Sequence, residues 1–102
     1  MLIEVLEVDC PPELREAFIA RDARTWTAAL ARQPGFIAKE VWASRDDPGR
    51  LILVIRWETL ADWEAFPVEL GHELDRAMGD LLLPLSCRTY ESQRPANSGE
   101  TG

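Results

Sequence analysis

The segment LILVIRW at residues 51–57 gives the first indication of the fold. Its first five residues are all apolar, which is typical of a strand that is covered on both faces. The polar segment RDDPGR at residues 45–50 precedes it and has the length of a hairpin turn. Residues 36–44 therefore form the partner strand of a β-hairpin.

The N-terminal third predicts a strand followed by a helix. The side chains of residues 1–9 alternate between two faces. Ile3 and Val5 share one face, and the opposite face carries Leu2, Glu4, Leu6 and Val8. Residues 11–33 form a helix, which starts at two prolines and ends before Pro34-Gly35.

The C-terminal part predicts a broken helix and a last strand. Thr59 and Asp62 have the spacing of a capping box, so a helix begins there and is interrupted at Pro67. A further helical segment covers residues 68–82, and residues 83–92 form the fourth strand.

This order, β-α-β-β-α-β, is that of an α+β ferredoxin-like domain with an antiparallel sheet. We assign the domain to residues 1–93 and expect a disordered tail at residues 94–102, which are small and polar. Helices cover only one face of such a sheet, whereas the third strand is apolar on both. We therefore expect a homodimer that covers the other face, with Ile52 and Val54 near its interface.

The bulk composition limits the partners. A net charge of −7 makes nucleic acid and anionic membrane surfaces unfavourable partners. No apolar run approaches the ~20 residues that span a bilayer. The 2 cysteines do not form a disulfide framework, and a cytoplasmic location with free thiols is expected.

Short motifs run in a recognisable order along the first two thirds of the chain. They are PGF at 34–36, KEVW at 39–42, DP at 47–48 and LVIRW at 53–57. In this order and spacing the chain resembles the antibiotic biosynthesis monooxygenase superfamily, and most closely a group of uncharacterised bacterial proteins within it. The resemblance implies the dimeric α/β-barrel fold, in which two ferredoxin-like sheets pack face to face.

The superfamily includes cofactor-independent monooxygenases, haem-degrading enzymes and proteins without known activity. Haem degraders use a histidine in the helix after the third strand, and residues 61–66 contain none. They also carry an asparagine on the first strand, which is absent here, although Trp57 matches their pocket tryptophan. We therefore expect neither haem nor another cofactor, and no metal site.

Asp22 is the most informative residue of the first helix. On a helical wheel with Leu14 at zero, it falls at about 80°, between Phe18 at about 40° and Trp26 at about 120°. A carboxylate on an apolar arc is costly unless it is paired or hydrogen-bonded. Two interpretations stay open: a structural partner of a sheet residue, or a polar catalytic group that lines an apolar pocket.

Aromatic residues are candidates for the walls of that pocket. They are Phe18, Trp26, Trp57, Trp63 and Phe66. Simple core packing is the alternative, because tryptophan buries a large area wherever it lies. Trp42 is expected at the dimer interface instead.

Five other residues carry weaker expectations. Glu40 and Arg56 form a cross-strand ion pair if the hairpin pairs them directly, and point to opposite faces if the register slips by one. His72, the only histidine, lies opposite the apolar side of its helix and should be exposed. Cys10 and Cys87 should be neighbours, as the first and last strands pair.

Three functions are compatible with these features. The first is a cofactor-independent monooxygenase in which Asp22 removes a proton from a small aromatic or phenolic substrate. The second is a dimer that binds a small hydrophobic ligand without converting it. The third is a structural domain with a filled core.

Overall fold

The computed structural model describes residues 1–93, and the tail predicted at residues 94–102 lies outside them. Its four strands are β1 (Leu2–Asp9), β2 (Phe36–Ala43), β3 (Arg50–Trp57) and β4 (Leu85–Glu91). They form one antiparallel sheet in the order β2-β3-β1-β4. The predicted α+β ferredoxin-like fold is confirmed.

The first helix, α1, covers residues 12–30 and is not uniform. It consists of a 3-10 turn (Pro12–Leu14), an α segment (Arg15–Asp22), a π segment (Ala23–Thr27) and a last α turn (Ala28–Leu30). The helix was expected to reach about Gln33, but it ends at Leu30. Within the irregular region the Thr25 hydroxyl donates to the carbonyl oxygen of Arg21 at 2.8 Å, a local alternative to the regular backbone pattern.

The second helical region is broken as expected. Helix α2 (Leu60–Glu64) is capped by Thr59, whose Oγ1 accepts from the Asp62 N–H at 3.1 Å. Helix α3 (Val68–Met78) begins after Pro67 and continues into a 3-10 turn (Gly79–Leu81). Among the described residues, no helix has the length and apolar character needed to cross a membrane.

The strand register separates two faces of the sheet. Leu2 pairs with Trp57 and Val8 with Leu51, and these residues are buried beneath the helices on what we call the helix face. The opposite face, which we call the open face, carries no helix from the described residues 1–93. Its residues by register include Ile3, Val5, Ala38, Glu40, Trp42, Ile52, Val54, Arg56, Arg88 and Tyr90.

The β2–β3 hairpin settles the position of Glu40. A bulge between Phe36 and Ala38 shifts the register, so that Glu40 pairs with Val54 and Ala38 with Arg56. Glu40 and Arg56 are therefore diagonal neighbours on one face, and Oε1 and Nη1 are 3.4 Å apart. The ion pair exists although the direct pairing does not.

The two cysteines are not neighbours, contrary to expectation. Cys87 pairs with Leu6, four residues before Cys10, because β4 meets β1 along its whole length rather than only at its end. Both thiols are free; Cys10 is buried and Cys87 exposed.

The core between the sheet and the helices consists of two clusters. One contains Val8, Cys10, Phe18, Leu51, Leu53, Met78 and Leu81. The other contains Leu2, Leu30, Ile55 and Trp57, with Trp63 and Phe66 packed against it. Residues of both clusters line the cavity described next.

Candidate functional site

A cavity of about 430 Å³ lies on the helix face of the sheet. This volume is within the range of small-molecule sites. The lining side chains are mainly apolar and come from all four strands and all three helices. Leu85 and Cys87 of β4 line the cavity and are exposed, so the cavity opens to solvent along this edge strand.

The structure brings all six site candidates to this cavity. They are Phe18, Asp22, Trp26, Trp57, Trp63 and Phe66. The rings of Trp26 and Phe66 stack with centroids 5.7 Å apart and an interplanar angle of 24°. Trp57 is almost fully buried and belongs to the core as well, and its indole N–H donates to Glu4 Oε1 at 3.2 Å.

Asp22 has a charged partner. Its Oδ2 lies 2.6 Å from the Nζ of Lys39 on β2, and the two side chains are 5% and 3% exposed. The Thr27 hydroxyl lies 3.4 Å from the same oxygen. Both interpretations left open for Asp22 thus have a structural counterpart, because the carboxylate is tied to a sheet residue and lines the cavity.

The β-bulge places Lys39 in the cavity wall. Lys39 pairs with Ile55, a helix-face residue, and so points beneath the helices. Strict alternation from Phe36, which also lies on the helix face, would have placed Lys39 on the open face. The alternation of β2 therefore does not predict Lys39 at this site. One signal was available: Lys39 is the only lysine in the chain.

The π segment affects which residues of α1 face the sheet. Phe18, Asp22, Trp26 and Leu30 are spaced by four and all line the cavity. In a regular α-helix each such step rotates the side chain by about 40°, so the last would leave the face. The wider turn of the π segment offsets this drift, and π-bulges occur frequently at functional sites.

Three further polar side chains line the cavity: Glu4, Asp75 and Cys87. Partial burial raises the pKa of the Cys87 thiol, and the nearby charge of Glu4 raises it further. The thiol is therefore a poor nucleophile at neutral pH. Within residues 1–93, Lys39 is the one positively charged residue of the lining.

Other sequence candidates lie outside the cavity lining. His72 is exposed on α3, with Nδ1 3.8 Å from Glu69 Oε1, as expected. Trp42 lies on the open face and is 48% exposed. Within residues 1–93, no group of three or more His, Cys, Asp or Glu side chains is arranged to hold a metal ion.

This geometry suits a flat apolar molecule with one polar end. The aromatic side chains offer ring faces, and the Asp22–Lys39 pair offers one acceptor and one donor at a single point of the wall.

Residues 1–67, from β1 to the break before α3, match the family model described as antibiotic biosynthesis monooxygenase. This segment contains Asp22, Lys39 and all five aromatic candidates. No curated protein is significantly similar to the chain.

Several solved structures share the fold. A monooxygenase from the gene ActVA-Orf6 of Streptomyces coelicolor, in complex with the ligand nanaomycin D, is 15% identical, with 92% of this chain and 88% of that chain covered and a TM-score of 0.77. SnoaB, a cofactor-independent oxygenase from Streptomyces nogalater, is 22% identical, with 95% of both chains covered and a TM-score of 0.62. A conserved protein from Methanosarcina mazei Go1 is 16% identical, with 91% and 94% covered and a TM-score of 0.66. Identities this low establish a shared fold and not a shared reaction.

Proposed function

The chain belongs to the antibiotic biosynthesis monooxygenase family, and on this premise we propose that it is a cofactor-independent monooxygenase-like enzyme acting on a small aromatic or phenolic molecule. The observation that carries the proposal is the cavity, in which aromatic side chains surround a single buried carboxylate–ammonium pair.

The aromatic residues bind the substrate in this proposal. Trp26 and Phe66, stacked on each other, form one wall, and Phe18, Trp57 and Trp63 contribute the remaining ring surfaces. Such contacts hold a flat ring and exclude water from it.

Asp22 is the proposed base. It accepts the proton of the substrate hydroxyl group, and the resulting phenolate gives an electron to O₂. The two radicals combine at the ring carbon opposite the hydroxyl, forming a peroxide. One oxygen atom stays on the ring as a carbonyl, and the other leaves as water with the two hydrogen atoms that the substrate loses. Phenol and O₂ thus give a quinone and water, and Asp22 returns to its carboxylate form.

We also propose that the functional unit is a homodimer joined through the open face. Ile3, Val5 and Ile52 at the centre of this face are partly exposed. Val54 is already 2% exposed in the single chain and contributes little new burial. With two free cysteines, the proposed location is the cytoplasm.

Binding without turnover is the second candidate, and one observation favours it. Asp22 Oδ2 is already engaged by Lys39 Nζ at 2.6 Å, so the hydroxyl group of a ligand competes with the ammonium group for this oxygen atom. The same cavity would then hold a small hydrophobic or aromatic ligand unchanged.

Oxygen uptake distinguishes the two candidates. Purified protein is incubated with 1-naphthol and with phenols that carry hydrogen on the ring carbon opposite the hydroxyl group, and O₂ consumption and quinone absorbance are recorded together. We expect equimolar O₂ loss and quinone formation in the wild type and in His72→Gln, and none above the buffer rate in Asp22→Asn. Buffer-rate oxidation by the wild type would overturn the enzymatic proposal. A ligand retained in native mass spectrometry would then support the second candidate.

A further inference from the structure

We propose that Lys39 holds the ionised oxygen of the ligand, so that the cavity selects aromatic hydroxyl compounds that bind as anions. This inference rests on the proposed function and assigns it one more catalytic group and a narrower ligand class.

The ammonium group of Lys39 has N–H donors that are available to a ligand. An ammonium group carries three N–H donors. In the part of the chain that the structure describes, Nζ donates to one acceptor, Asp22 Oδ2. Since the Lys39 side chain lines the cavity and is 3% exposed, a ligand oxygen is the partner that the site offers for a second donor.

Stability alone does not account for a buried pair at this position. Replacing a buried ion pair with apolar residues of similar volume is often neutral or stabilising, so such a pair is weak evidence of a structural role. Here the pair also lies on the wall of a cavity and not in a packed interior. The ammonium charge of Lys39 on this wall is available to bind a ligand that enters the cavity.

The other titratable groups facing the cavity oppose an anion. They are Glu4 on β1, Asp22 on α1 and Asp75 on α3, while the raised pKa of Cys87 on β4 keeps its thiol neutral. Among the lining residues that the structure describes, Lys39 is the one that attracts a negative charge. An anion therefore binds in this cavity through contact with Lys39. Without that contact its binding is unfavourable.

Proton transfer from ligand to Asp22 conserves the buried charge. Before transfer, the ammonium group is paired with the Asp22 carboxylate. Afterwards Asp22 is a neutral acid and the same ammonium group is paired with the phenolate. The number of buried charges stays the same, so the desolvation cost that usually opposes making an ion in an apolar site is largely avoided.

4-Nitrophenol tests the inference because its anion and its acid have different absorption spectra. 4-Nitroanisole has nearly the same shape but no ionisable hydroxyl group. In the wild type, bound 4-nitrophenol should ionise at a lower pH than the free compound. At a pH where the free compound is ionised, it should bind about tenfold more tightly than 4-nitroanisole, or more.

Two variants isolate the contribution of Lys39. In Asp22→Asn the ammonium group has no protein counter-ion. The pKa of bound 4-nitrophenol should therefore fall further below that of the free compound. The double variant Asp22→Asn with Lys39→Met lacks the ammonium charge. The pKa of bound 4-nitrophenol should then lie above that of the free compound, because Glu4 and Asp75 remain. The double variant buries no unpaired charge, so it stays informative even where Asp22→Asn folds poorly.

The outcomes separate this inference from the proposed function. A wild-type shift that is absent, or unchanged in the double variant, overturns the inference, whether or not O₂ is consumed. The expected shifts without turnover of 1-naphthol or of any of the phenols support Lys39 and overturn the enzymatic proposal. Failure of both compounds to bind the wild type at millimolar concentration overturns both.

Discussion

Asp22 shows what one residue's sequence context does and does not predict. Its position on the apolar arc of α1 predicted that the carboxylate faces the sheet, and it does. Its partner was not predictable, because the bulge between Phe36 and Ala38 changes which residues of β2 share a face. A bulge adds one unpaired residue, and residue-by-residue alternation carries no mark of it.

The Asp22–Lys39 pair gives a prediction for stability. Asp22→Asn leaves the ammonium group buried without a counter-ion, which we expect to lower the free energy of unfolding by about 3 kcal/mol. The double variant with Lys39→Met removes both charges and should recover most of this loss. Urea denaturation of the wild type, both single variants and the double variant measures the coupling. An Asp22→Asn protein as stable as the wild type would contradict this prediction, because it would show that the ammonium group is not left buried without a counter-ion.

At the scale of elements, hydrophobic patterns and turn residues predicted the main framework. The apolar run of β3, the polar turn before it, the Thr59 cap and the break at Pro67 all lie where the sequence indicated. The π segment Ala23–Thr27 was not predictable. Its one alanine, one arginine, two threonines and one tryptophan are all compatible with an α-helix as well, and the choice depends on packing against the sheet.

The turn between α1 and β2 depends on Gly35. This residue has a φ of +84°, and a Cβ atom there would overlap the Asp62 carboxyl group at the start of α2. Its carbonyl oxygen also accepts from the Glu58 N–H at 2.8 Å. The turn therefore fixes the entry of α2 as well as that of β2.

We expect Gly35→Ala to cost more than about 2 kcal/mol, because left-handed backbone disfavours alanine and the overlap adds to the loss. Gly71→Ala is a matched control. Gly71 lies inside α3, where a Cβ would be 3.6 Å from Trp26 Cη2, an ordinary contact. This control should gain about 0.5–1 kcal/mol from helix propensity. Thermal unfolding measures both, and equal effects in the two variants would contradict the assignment of Gly35.

At the scale of the whole molecule, the open face has the layout of an interface. Apolar residues occupy its centre, and Trp42 and Tyr90, 48% and 52% exposed, lie on its outer strands with charged residues beside them. An apolar centre with an aromatic and charged surround is the usual anatomy of a protein–protein contact.

We expect the wild type to be a dimer at micromolar concentration by light scattering. Ile52→Asp places a charge at the centre of the open face and should yield monomers, because an unpaired charge is costly to bury. Val68→Glu serves as the control. Val68 is 70% exposed on α3, away from the open face, and this change should leave the mass unaltered. A wild-type mass equal to one chain would contradict the dimer.

The chain has one lysine and its side chain is buried, so cleavage at this residue can report unfolding. A protease specific for lysine has one cleavage point, after Lys39, in the middle of β2. Cleavage requires an extended, accessible segment, so native molecules should remain whole while opened molecules yield residues 1–39 and 40–102. In brief digestions at increasing urea, the intact fraction should follow the folded population without any label or probe. Rapid cutting in the absence of urea would show that β2 detaches from β3 independently of the remaining sheet.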